Sequence, residues 1–138
     1  MGSEMCIRDS SIKVIVHLIL GLPHETREMM SASVQAIANL PVWGIKLQLL
    51  HVLSGTDLAA YYEKTHFPVF SMDEYCEMII DCLELLPPEM VIHRITGDGP
   101  KDLLIAPMWS TGKRTVLNQI HRRLKERNTY QGRLATKR

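Results

Sequence analysis

The side chains able to do chemistry gather in a few short stretches. "VHLILGLPHET" places His17 in an apolar run that ends on Gly21, Leu22 and Pro23. "GIKLQLLHVLSG" carries Lys46, Gln48 and His51 before Gly55, and "MVIHRITGDGP" carries His93 and Arg94 before Gly97. Glycines after apolar runs let backbone come close to a ligand, although any loop after a strand needs turn residues of this kind. Three such loops together favour a site. Counting alternate residues back from Gly21 puts Ile19, His17, Ile15 and Lys13 on one strand face, and Lys46 shares a face with Gln48. If these faces line a lumen, His17 and Gln48 contact a ligand and Lys46 can hold an anion. Taken singly, a histidine in an apolar run is more often a hydrogen-bonded core residue.

Metal and redox chemistry find little support in the cysteines, Cys6, Cys76 and Cys82. Cys76 and Cys82 lie six apart on a predicted helix, where they can neither pair with each other nor form a zinc knuckle. Cys6 sits in "MGSEMCIRDS", which fits no targeting class because it lacks an apolar core and carries Glu4 and Asp9. "EMCIRDS" back-translates to a string resembling the transposon end used in sequencing libraries. Residues 1–10 are therefore expected to be read-through, with Cys6 no ligand. "STGKRT" is no phosphate loop, since Arg114 stands where a magnesium-binding hydroxyl should be and no strand precedes it.

Alternating elements must position these residues. Strands are predicted over 12–20, Gly44 to Val52 and 90–96, with the first buried on both faces. Thr26 caps a helix over 27–39 that buries Met30, Val34 and Ile37. A turn and short helix follow at "SGTDLAAYY". Ser71 and Glu74 then form a capping box for a helix with Tyr75, Met78, Ile79, Cys82, Leu83 and Leu86 on one stripe, ended by Pro87 and Pro88. A last helix over 113–127 turns Val116, Leu117, Ile120 and Leu124 inward. Alternation of this kind implies an α/β fold of parallel strands with helical crossovers, whose ligands collect at the strands' C-terminal ends. Three strands cannot close a barrel, as expected of a piece of a larger domain.

The charge balance of +1 hides an asymmetry. Residues 113–138 hold nine Lys and Arg against Glu126 alone, a net +8, so the body before them carries −7. A basic arm on an acidic body points to a polyanion such as RNA, through Lys113, Arg114, Arg122 and Arg123 together with Arg94. The longest apolar run is about half of what a helical membrane span needs, and the cysteine usage predicts a cytoplasmic protein.

The stretches "VHLILGLPHETREMM", "GIKLQLLHVLSGTDLAAYYE", "LELLPPEMVIHRITGDGPKDLLIAPMWS" and "VLNQIHRRLKERNTYQG" resemble the C-terminal half of bacterial radical SAM proteins of the Elp3-like group, over about residues 12–132. "PPEMVIHRITGDGP" and "APMWS" are the most specific. The resemblance implies a partial (β/α)6 barrel in which the first strand here is the fifth, the second the sixth, and "MVIHRIT" an added strand. It implies residues 11–110 as the C-terminal portion of that barrel and 111–138 as a basic helix and tail. It also implies a [4Fe-4S] cluster that reduces S-adenosylmethionine to a 5'-deoxyadenosyl radical able to abstract a substrate hydrogen. The three cluster cysteines of the family belong to a loop after the first barrel strand, which has no counterpart here, so this chain is expected to lack its N-terminal half-barrel and to be inactive alone. His17, Gly21, Leu22, Pro23 and Gln48 correspond to the cofactor wall. Two positions depart from the family pattern: His24 stands where glycine is expected, and Gln48 where histidine is expected. The implied substrate is the wobble uridine of tRNA, its carboxymethylaminomethyl group being remodelled to an aminomethyl one. The alternative is a non-catalytic RNA-binding α/β module that works through the basic helix.

Overall fold

The computed structural model describes residues 13–96 and 101–135; Cys6, Gly97, Lys137, Arg138 and the expected read-through at 1–10 lie outside them. The elements run β1 (Ile15–Leu20), α1 (Arg27–Ala38), β2 (Gly44–Leu49), β3 (Val52–Leu53), α2 (Asp57–Thr65), α3 (Met72–Leu85), β4 (Val91–Arg94), β5 (Leu104–Ala106) and α4 (Lys113–Glu126). Single 3-10 turns over Lys101–Leu103 and Met108–Thr111 flank β5. The fold is the mixed α/β one expected. β1, β2 and β4 form a parallel sheet in that order, with α1 and α3 providing the crossovers.

Local chemistry sets the helix starts. Thr26 and Thr56 accept from the backbone N–H groups of Met29 and Ala59, each at 3.1 Å. Ser71 and Glu74 make a reciprocal capping box at 3.0 and 3.1 Å. These bonds satisfy N–H groups that the first helical turn leaves without carbonyl partners. Every residue of the predicted α3 stripe, Tyr75 through Leu86, is buried, and the stripe packs against Leu20, Leu47, Met30 and Val34. Val116 and Ile120 of α4 enter the same core, so the basic helix is built into the body.

Two strand predictions need correction. The first strand is not buried on both faces: Leu20 is buried, whereas His17 is exposed and Ile19 is 42% exposed. Even positions face the helices and odd positions look out from an open sheet face. The second strand does not run to Val52. It stops at Leu49, and after Leu50 donates to the Leu20 carbonyl at 3.0 Å the chain turns away. Val52–Leu53 instead pair antiparallel with Leu104–Ala106, a strand that the sequence did not announce. A small second core of Val52, Ala59, Phe67 and Ala106 supports this pair.

The C-terminal arm is clasped to α3. Arg123 donates to Glu77 at 2.7 Å and Asp73 at 2.5 Å, Arg127 pairs with Glu77, and Arg133 pairs with Glu84 at 2.8 Å. Glu84, buried, also accepts from Thr129 at 2.5 Å. Backbone bonds complete the clasp, from Gly132 N–H to Leu83 O at 3.0 Å and from Leu134 N–H to Glu84 O at 2.9 Å. Gln131 donates to the carbonyls of Pro87 and Met90, both at 2.8 Å.

Candidate functional site

The parallel register fixes which polar side chains meet. His17 is opposite Lys46 and Ile19 opposite Gln48, so residues separated by about 30 positions share one sheet face. Their neighbours Leu18, Leu47 and Leu49 belong to the helix-side core, and this apolar alternation holds the polar row outward. A register irregularity after Ile45 brings Arg94 opposite Lys46. His17, Lys46 and Arg94 thus form a row across three strands. His17 is exposed and Lys46 and Gln48 are half-buried, which removes the core-histidine alternative for His17.

Immediately beyond the C-terminal end of β1, Gly21 has φ +90°, and a Cβ there would stand 3.1 Å from the Phe70 ring. Glycine therefore answers both a left-handed turn and a close approach. Leu22 is 43% exposed beside it, and its carbonyl accepts from Glu25 N–H at 3.0 Å. Pro23 is half-buried. His24, the departure from the expected glycine, retains a left-handed backbone with φ +66°. Its Nε2 lies 2.8 Å from the Tyr61 hydroxyl, a contact that ties the loop to α2. A cavity of about 260 Å³ opens between this loop and Pro68–Phe70, bordered also by Arg27 and Glu74. Glu25 Oε1 is buried there without a partner.

Lys113, Arg114, Arg122 and Arg123 do not join this face, because all are carried by α4. Arg123 is engaged by α3 carboxylates, and Arg122 by Glu126 and Gln119. Sequence reasoning passed over Tyr61 and Phe70, whose only signal was their closeness to the glycine loop in space.

The residues present do not form a cluster site. Among the described residues no group of three or more His, Cys, Asp or Glu could hold a metal. Cys76 and Cys82 are buried in α3. Burial pushes the Cys82 thiol up to about 12 and also raises that of Cys76, so neither is a ready thiolate. The open face is different: exposed Ile19 and Leu22 offer apolar contact, Gly21 offers bare backbone, and His17 and Gln48 offer polar atoms. That set suits a nucleoside such as the adenosine of S-adenosylmethionine.

Residues 42–126 match the Radical_SAM C-terminal domain family. The chain belongs to this family. Among relatives of the radical SAM chain, the protein YtqA of Bacillus subtilis (strain 168) is 48% identical over 91% of it, and YhcC of Escherichia coli (strain K12) 29% over 86%. Elongator complex protein 3 of Dictyostelium discoideum is 27% identical over 75% of the chain, which covers 19% of that protein. The chain spans about two fifths of the length of the first two relatives, 39% and 38%. The archaeal Methanocaldococcus infernus Elp3 with an N-terminal deletion superposes with a TM-score of 0.74 at 19% identity, over 91% of this chain and 29% of that one, so the fold is that of an Elp3 radical SAM C-terminal part. Among the described residues no helix is long and apolar enough to cross a membrane.

Proposed function

We infer that this chain supplies the strand-five and strand-six wall of a cytoplasmic radical SAM enzyme that modifies the wobble uridine of tRNA. The observation that carries the reading is the in-register pairing of His17 with Lys46 and Ile19 with Gln48, beside the Gly21 loop, on an open sheet face of a radical SAM family chain. S-adenosylmethionine, reduced by a [4Fe-4S] cluster, supplies hydrogen-abstraction chemistry when bound. In this reading His17, Gly21, Leu22, Pro23 and Gln48 hold its nucleoside portion. Lys46 and Arg94 face the anionic substrate. The likeness to proteins named Elp3 and Elongator complex protein 3 supports the group.

The cluster ligands come from outside the described residues, so the test uses an extended protein of the relatives' length, reconstituted anaerobically. Incubated with tRNA that lacks the modification, it should change the wobble-nucleoside profile read by liquid chromatography and mass spectrometry. An unchanged profile, with cluster and S-adenosylmethionine cleavage both present, would sink the substrate assignment. The non-catalytic RNA-binding alternative would have to work without Arg123, which is engaged by Asp73 and Glu77 of α3.

A further inference from the structure

A second cavity, of about 460 Å³, lies on the other side of β4, between that strand and α4. Ile92, Leu117, Ile120 and Leu124 make its walls apolar, and Thr96, His121 and Gln131 border it together with His93, whose ring packs on Trp43, and Arg94. No aspartate or glutamate lines it among the described residues. β4 pairs only with β2 among those residues, so the strand's outer edge also presents backbone N–H and C=O groups toward the cavity.

The charges of α4 divide according to helical geometry. Arg123 and Arg127 lie on the flank turned to α3, where acids take them up. Arg114, His121 and Lys125, spaced by seven and then four residues, fall along the opposite flank. That flank borders Leu117 and Leu124, which line the cavity. All three side chains are exposed. One edge of the cavity is thus cationic, its walls are apolar, and a strand edge can hydrogen bond. Such a combination suits a ligand with a flat apolar face, hydrogen-bonding edges and an anionic backbone.

We propose that the cleft between β4 and α4 binds an unstacked nucleotide of single-stranded RNA. The base lies against Ile92, Leu117 and Leu124, and the flanking phosphates meet His121, Arg114 and Lys125. Splayed bases of single-stranded RNA expose both an apolar face, which the aliphatic walls can cover, and their pairing edges. The cleft shares Arg94 with the His17–Lys46 row but is otherwise lined by other residues, and would hold RNA outside the reacting nucleotide. The proposal rests on the reading that the substrate is RNA.

Fluorescence anisotropy with a fluorescein-labelled decauridylate tests it on the full chain at low salt. The His121→Glu variant should bind at least about tenfold more weakly. Arg114→Gln with Lys125→Gln should lower the slope of log affinity against log salt by about 1.4, two phosphate contacts at about 0.7 each. Lys64→Gln on α2, which removes one positive charge elsewhere, should leave affinity within about twofold. His121→Gln, with circular dichroism on each variant, guards against misfolding. Wild-type affinity in His121→Glu would overturn the cleft while leaving the RNA substrate standing, because the nucleoside assay judges that separately. Failure of the wild-type chain to bind decauridylate would overturn the cleft too. Oligoglutamate competing as well as decauridylate would instead make this an acidic-peptide groove.

Discussion

Replacing Gly132 by alanine should undo the C-terminal clasp. Gly132 has φ +89°, and a Cβ there would sit 2.5 Å from Pro88 Cγ and 2.6 Å from its Cδ. Non-bonded carbons settle near 3.5–4.0 Å, so about 1 Å must be found. Pro88 cannot provide it easily: its ring is rigid, and Gln131 bonds the carbonyls of Pro87 and Met90 on either side. The turn must therefore lift from α3. Lifting strains or breaks the bonds from Gly132 to Leu83, Leu134 to Glu84, and Gln131 to its two carbonyls. At about 1 kcal/mol each these four set a ceiling of about 4 kcal/mol, and the left-handed backbone adds about 1 kcal/mol for a residue with a Cβ. Partial relaxation brings the expected loss to about 2–4 kcal/mol. Urea unfolding followed by circular dichroism reads that loss, and limited trypsin digestion reads undocking through cleavage after Arg127 and Arg133. A variant within about 0.5 kcal/mol of the parent, with equal protease resistance, would refute the account of a tight clasp.

Burial alone would raise the Glu84 carboxyl, but the Thr129 hydroxyl and Arg133 guanidinium outweigh it and hold the group below its ordinary value. A lowered carboxylate stabilises the fold above the ordinary glutamate value of 4.5 and loses that contribution as pH falls through its folded value; Glu84→Gln should flatten this acid limb in urea titrations across pH, and an unchanged limb would count against the pairing. Cys76 and Cys82, buried and with raised thiols, should resist iodoacetamide at about pH 8 until denaturant is added; native labelling of either within minutes, seen by peptide mass spectrometry, would contradict their placement. His24→Gly should be nearly neutral, because relief of the left-handed backbone offsets loss of the Tyr61 bond, each about 1 kcal/mol. His24→Ala should cost about 1–2 kcal/mol by thermal unfolding, and equal stability of the two variants would show that φ carries no strain here.

The sequence displayed the parts whose physics is local. Thr26, Ser71 and Glu74 are legible as caps because their partners lie three residues away. The α3 stripe is legible because its spacing repeats. His17, Lys46 and Gln48 were legible as face-sharing residues, since alternation is a property of one strand; that His17 meets Lys46 needed the parallel register. The β3–β5 pair was hidden for two reasons. Its strands have two and three residues, too few for any periodicity, and Val52 follows Leu49 and Leu50 of the β2 stretch with only His51 between. Trp109 of "APMWS" similarly acts at a distance, donating to the Phe70 carbonyl at 2.8 Å and packing on Tyr75.

The basic arm shows how a charge count can be right and its reading incomplete. Nine bases against one acid measure an imbalance within a segment, but the segment's neighbours in space decide what the imbalance does. A signal was available: Asp73, Glu77 and Glu84 stand at spacings of four and seven on α3, and Arg123 of α4 and Arg127 just past its end at a spacing of four, matching stripes of opposite sign. Mostly exposed ion pairs of this kind contribute little each, and Asp73 is 79% exposed in its pair with Arg123. The backbone and Gln131 bonds around Gly132 therefore hold the arm down, while the ion pairs set which flank of α4 turns inward. Their consequence for function is subtractive. By engaging Arg123 and Arg127 they leave Arg114 and Lys125 as the cationic flank, with His121 between them, beside the apolar cleft. On the proposed RNA cleft, salt should accordingly weaken decauridylate binding while moving the stability of the fold little.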